Sequence, residues 1–204
     1  MPDRKHGIPP PPTTSTFDEA AWRDASFSGT RHEGVLFDSV DLSDVEEGGA
    51  TFVDCTFRDV RFNASTHTDA AFTNCTFVAC RFFETWFVRC KFVGSTFDRC
   101  TFALLIVEGG DWSLVGMPGA DLRKASFTKL RMREADLSGA RLDGATVRDV
   151  DLSGTWLHRA SFRDADLRGS DLSSLDPLNA EIAGARIDIE QATVIGEALG
   201  FRVG

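Results

Sequence analysis

Residues 135–154 read ADLSG ARLDG ATVRD VDLSG, and their phrasing decides the fold: one small residue, one polar, one large apolar, two polar, then the same again. Extended in both directions, the phase holds from Phe27 to Ile187. Every fifth residue over that span gives 33 positions, all apolar except His32, Glu47, His67 and Pro177. Fourteen of the 17 phenylalanines fall on these 33 positions, so Phe is being selected for packing along one line. The residues two places earlier, Ala25 to Ala185, form a second column without a single charge; it is made of Ala, Ser, Thr, Cys, Val and Gly, apart from Leu105, Leu130 and Leu175.

A period of five fits neither the 3.6 of an amphipathic helix nor the 2.0 of a strand. On a helix such residues would spread around the whole circumference and no face could be buried. The pattern needs a chain that turns a corner every five residues and returns one large and one small side chain to a shared interior. That is a solenoid, in which no unit buries its apolar residue alone and stability comes from stacking coil on coil.

The motif resembles the pentapeptide-repeat proteins, whose consensus is A-(D/N)-L-X-X. The resemblance implies an all-β fold, a right-handed quadrilateral β-helix with four units per coil. The 33 units would then make about eight coils, a rod on the order of 40 Å long. Burying each Phe or Leu contributes roughly 1.5–3 kcal/mol, which makes the Phe-rich span from Phe52 to Phe102 the stiffest part.

Three segments are expected. Residues 1–21, with the run IPPPP, read as a Pro-rich, poorly ordered arm. Residues 22–187 are the repeat. Residues 188–204, DIEQATVIGEALGFRVG, break the rhythm. There Asp188 and Gln191 have capping-box spacing, Ala192, Ile195 and Leu199 share a helical face, and Gly200 suits a helix stop. The expectation is a short capping helix over about 189–199, covering the open last coil. Ile189, Val194, Phe201 and Val203 exceed what a cap needs, which points to a second role in homodimerisation.

Composition excludes several classes. With 31 acidic against 22 basic residues and a net charge of −9, extended contact with phosphate backbones is disfavoured, so no direct nucleic acid is expected. No stretch approaches the roughly 20 apolar residues of a membrane span, and the N-terminus has no apolar secretory core, so a cytoplasmic location is expected. Cys55, Cys75, Cys80, Cys90 and Cys100 all fall in the small inward column and read as reduced structural thiols. His32 and His67 occupy the large column, where an imidazole needs a partner or marks an irregular coil; irregularity is the expectation. No triad, metal-ligand spacing or phosphate loop is present. No catalytic residue, metal, cofactor or small-molecule substrate is therefore expected, and the chain does not read as an enzyme.

The ending GARIDIEQA resembles the MfpA-type and Qnr-type quinolone-resistance branch. That resemblance implies a dimeric rod that imitates duplex DNA and occupies the DNA-binding surface of DNA gyrase, altering the enzyme's inhibition by quinolones or another gyrase poison. Charge along the chain is uneven: residues 32–54 carry seven acids and no base, 121–133 form a basic girdle, and 134–190 carry 12 acids against six bases. On the dimer model Asp151, Asp166, Asp171, Asp176 and Glu181 would surround the centre and meet the partner. Ile189, Ala192, Ile195, Leu199 and Phe201 are the expected dimerisation residues. A competing surface is the exposed pair Trp86 and Ile106, spaced to stack on adjacent coils, with Phe83 nearby. It fits the alternative of a non-catalytic interaction scaffold whose partner is unrelated to gyrase.

Overall fold

The computed structural model describes residues 12–17 and 27–203. Over these residues the chain winds as a four-sided solenoid in which each unit lies on the matching unit of the coil before it: Thr56 pairs with Thr76, Trp86 with Ile106, and Asp166 with Arg186, all in parallel. Four units of five residues make one coil, so residues with the same position in successive coils stack. The pairing generates parallel sheets of five, two, six and three strands. For reference, the first face is centred on Phe37, Phe57, Phe77 and Phe97 and the second on Phe62, Phe82, Phe102 and Leu122. Glu47, His67, Phe87 and Val107 centre the third, and Phe52, Phe72, Phe92 and Trp112 the fourth.

The corners explain the period. Two residues after most central residues the backbone turns through the left-handed region, with φ between 52° and 63° at non-glycine positions such as Asp59, Asn74 and Arg99; Ser174 and Asn179, after Leu172 and Pro177, are exceptions. Backbone groups released at each corner are taken up one coil away, as in Thr96 N–H to Cys75 O at 2.9 Å and Asp59 N–H to Val78 O at 2.9 Å.

The interior is a set of aromatic ladders. Phe37, Phe57, Phe77 and Phe97 stack with centroids 4.7, 4.8 and 4.6 Å apart and planes within 9° of parallel. Phe52, Phe72 and Phe92 stack at 4.9 and 4.5 Å. These distances equal the spacing between strands, so ring stacking and backbone pairing are satisfied by one geometry. Trp112 ends two ladders: it lies 4.3 Å from Phe92 and is fully buried. Gly110, in the small column beside it, has φ +97°, and a Cβ there would stand 2.0 Å from the Cys90 carbonyl oxygen. Beyond this point the central residues are mostly Leu, Met and Val, and extended strands persist only on the third face, at Ser126–Thr128 and Thr146–Arg148.

At the C-terminal end a helix, Ile189–Ala198, forms with the expected capping box between Asp188 and Gln191. The residues it turns to the rod are Gln191, which is buried, and Ile195, which packs on the core; Ala192 and Leu199, expected on that face, are exposed. The cause is the last coil's need for donors: Gln191 Nε2 donates to the carbonyls of Leu167 and Ser170, each at 2.7 Å. At the other end Ser15–Phe17 pairs in register with Val35–Phe37, so coil pairing reaches residues that the sequence reading placed in the arm. Phe17 lies on the five-residue phase and packs 5.4 Å from Phe37. Residues 1–11 of that arm lie outside the described residues. Among the described residues no helix is long and apolar enough to cross a membrane.

Candidate interaction surfaces

The five acids expected to meet a partner do not share a face. Asp176 belongs to the first face, Glu181 to the second, Asp166 to the third, and Asp151 and Asp171 to the fourth, so they ring the terminal coils. The coil repeat also decides which of them are ion-paired. A separation of about one coil brings an acid and a base side by side, which is why Asp38 pairs with Arg58, Asp69 with Arg89 and Asp111 with Arg131. By the same logic Asp151 pairs with Arg133 and Glu181 with Arg163, while Asp166 pairs with Arg168 on its own unit. Hydrogen bonds from Arg168 hold the Asp166 carboxyl down at about 2. Asp171 and Asp176 have no ion-pair partner among the described residues; Asp171 accepts from Ser173 N–H, and Asp176 from the Asn179 amide and Leu178 N–H. Bonds from Asn179 and Leu178 lower the Asp176 carboxyl. Two of the five therefore stand outside direct ion pairs, although Arg133 lies within electrostatic reach of Asp171 and His158 of Asp176.

The same end carries exposed apolar side chains: Ile189 is 84% exposed, Leu178 77%, Phe201 69% and Val203 54%. Leu178 follows Pro177 and was not marked by the sequence reading. It sits where a regular unit carries a polar residue, and that departure was the available signal.

A second apolar surface lies at the corner between the second and third faces. Trp86 and Ile106 are in register and Phe83 pairs with Ala103, as expected from their spacing. Leu104, at the left-handed corner position with φ 56°, completes the patch. Phe83, Trp86 and Leu104 are each close to half exposed.

Inside the rod the histidines are partnered, and the coils that hold them are regular, contrary to expectation. His32 stacks on Phe52 at 5.3 Å and bonds Thr30. His67 Nδ1 lies 2.8 Å from Glu47 Oε1 and Nε2 lies 2.9 Å from Ser65 Oγ. The Ser65 hydroxyl gives its proton to Phe62 O at 2.6 Å, so its oxygen accepts from Nε2. The order Glu, His, Ser has the distances of a nucleophile relay. Ser65 is completely buried and its proton is spent on a carbonyl, so this trio is a core network between two coils. Glu47 Oε2 is left without a hydrogen bond.

The five cysteines are free, with four buried and Cys100 partly so. Burial pushes the Cys90 thiol up to about 12 and raises those of Cys75 and Cys80 as well, which makes them packing groups. Among the described residues no cluster of His, Cys, Asp and Glu could hold a metal ion.

The family model described as pentapeptide repeats matches residues 117–154 and 148–176, in eight copies. The match falls on the Leu-centred coils. The Phe-centred coils before it carry the same phase and the same coil-on-coil register. Among solved structures, a trypsin-treated form of QnrB1, a plasmid-mediated fluoroquinolone resistance protein, is 22% identical, with a TM-score of 0.49, covering 95% of this chain and 97% of its own. HetL, a pentapeptide repeat protein involved in heterocyst differentiation regulation from the cyanobacterium Nostoc sp., is 18% identical, with a TM-score of 0.31, covering 82% of this chain and 91% of its own. No curated protein sequence matches the chain.

Proposed function

We propose that this chain, a pentapeptide-repeat protein, acts without catalysis as a DNA mimic that binds DNA gyrase and modulates its inhibition by quinolones or another gyrase poison. The repeat fold makes a scaffold whose interior is filled by Phe, Leu and Cys side chains, so action falls to its outer surface. The observation that carries the reading is the C-terminal end. There Asp171 and Asp176 stand outside direct ion pairs, and Leu178, Ile189, Phe201 and Val203 form an exposed apolar set on the same end of the rod. Pairing two copies through that apolar group would bring both sets of carboxylates to the middle of a rod twice as long, facing a basic DNA-binding surface. Asp151, Asp166 and Glu181 contribute in a different way: their arginine partners must be displaced or shared when a cationic surface arrives.

The test is gyrase supercoiling and quinolone-induced cleavage with the purified full chain. The reading expects inhibition or protection at micromolar levels or below, weakened about tenfold or more by Asp171→Lys with Asp176→Lys. An unchanged gyrase in both assays would remove it. The alternative, an apolar scaffold surface for another protein, draws on the exposure of Phe83, Trp86 and Leu104. It expects partner binding to be lost in Trp86→Ala with Ile106→Ala and retained in the lysine variant.

A further inference from the structure

On the second face, toward the C-terminal half, a groove of about 460 Å³ opens among arginines. Its origin lies in the corner column shared with the first face, where successive coils carry Gly119, Gly139 and Arg159. Nothing stands within 4 Å of where a Gly119 side chain would begin, and the only atom near Gly139 is the Gly119 Cα at 4.0 Å. Two coils without a corner side chain leave room beside Arg141, and Arg159 borders the space from the next coil.

The donors in this groove are not all used. Arg123 is bound by Asp121 through two bonds of 2.7 and 2.6 Å, and Arg163 is bound by Glu181. Arg141 has its carboxylate neighbours, Asp121 and Asp143, at 3.8 Å, beyond hydrogen-bond reach. Asp143 instead takes the Ser161 hydroxyl at 2.6 Å. Arg159 has no side-chain partner among the described residues. Four guanidinium groups thus line a cleft that only the carboxylates Asp143 and Glu181 share, on a chain whose net charge is −9. Each guanidinium offers five N–H donors in a planar fork matched to phosphate oxygens.

We propose that this groove binds a small polyphosphate anion of the pyrophosphate class, held by Arg141 and Arg159. The volume falls within the range of small-molecule clefts and exceeds what one phosphate fills. No aromatic side chain lines it, so no base-stacking surface is offered and the phosphates themselves are the recognised group. Duplex or single-stranded nucleic acid is the wrong source of those phosphates. Asp121, Asp143 and Glu181 are interleaved with the arginines of this face and would repel a phosphate backbone running along it. The groove shares Glu181 with the gyrase reading but is held by Arg141 and Arg159, which that reading does not use, so it survives that reading's failure.

Titration calorimetry of the full chain with sodium pyrophosphate at low ionic strength tests it. Saturable one-to-one binding is expected, weakened roughly tenfold or more by Arg141→Gln with Arg159→Gln and unchanged by Arg58→Gln on the first face. Pyrophosphate should also raise the melting temperature of the native chain and not that of the double variant. Three results overturn the proposal: no binding, equal binding by the double variant, or an equal loss in Arg58→Gln, which would mean diffuse attraction to any arginine. A short DNA duplex that binds more tightly than pyrophosphate would overturn the assignment to a small anion.

Discussion

At the residue scale the informative positions are those that break the column rule. Glu47 and His67 are two of the four non-apolar central residues, and they stand one coil apart in the same register. Their contact was legible from that spacing once four units per coil was accepted; reading each as a separate irregularity hid it. A buried ion pair contributes little net stability, because desolvation of both groups offsets their attraction. Removing one partner is different, since the other polar group is left buried without its hydrogen-bond partner. His67→Phe should therefore destabilise the rod by about 3–5 kcal/mol, while Glu47→Leu with His67→Phe, which extends the Phe87 ring stack, should return to the native value or exceed it. Urea unfolding of the three proteins checks this, and a double variant as weak as the single would refute the account. Gly110 keeps the column rule and is informative for another reason. Its φ of +97° and the 2.0 Å approach to Cys90 O leave no room for a methyl group, so Gly110→Ala should cost about 2–4 kcal/mol by the same measurement. The sequence shows Gly in the small column there, but not that the carbonyl lies directly against it.

At the element scale, the helix and its cap were readable because capping chemistry is local: Asp188, Gln191 and Gly200 lie where short-range rules place them. Which face turns inward was not readable, because it depends on carbonyls of Leu167 and Ser170, a full coil earlier. Hydrophobic periodicity favoured Ala192 and Leu199, and unsatisfied acceptors favoured Gln191. Gln191→Leu keeps the volume and removes both donors, so the last coil should lose about 1–3 kcal/mol, seen as faster amide exchange at Leu167 to Leu172 with the first coils unaffected. Ion pairs between units belong to this scale too. Asp166 is depressed to about 2 by Arg168, below the ordinary carboxylate value, so its pairing stabilises the fold above roughly pH 4 and is lost as pH falls toward 2. Asp166→Asn should flatten that part of the acid unfolding curve and leave stability above pH 5 only slightly changed, because an exposed pair contributes little.

At the scale of the whole molecule, the five-residue phase fixes a rod before any coordinate is known, and the ring ladders show why the phase cannot slip: moving one unit by one residue would turn a Phe into solvent and a polar residue into the stack. Charge did not transfer so easily from sequence to surface. Counting acids by segment suggested an acidic end, yet the stacking of coil on coil pairs many of them with arginines, and only the coil geometry reveals that Asp171 and Asp176 stand outside these direct pairs. The outer ends are where a solenoid must either be capped or joined. Here the helix satisfies the last coil's carbonyls while Ile189, Phe201 and Val203 face outward, so the cap closes the backbone without covering its own apolar surface. A stable interface buries about 800 Å² on each partner, and the apolar group on the helix and tail, together with Leu178, provides its centre. The dimer reading therefore expects sedimentation equilibrium to give twice the 22.3 kDa chain mass at micromolar concentration. Ile189→Asp with Phe201→Asp should convert the protein to a monomer while circular dichroism of the coils stays unchanged, because neither side chain touches the rod interior. If the native chain sediments as a monomer, the acids at Asp171 and Asp176 lose their central position, and a DNA-length mimic would have to be built from a single rod. In that case the lysine variant would retain its effect on gyrase only if the contact lies elsewhere along the coils, so the two measurements together separate the state of assembly from the site of contact.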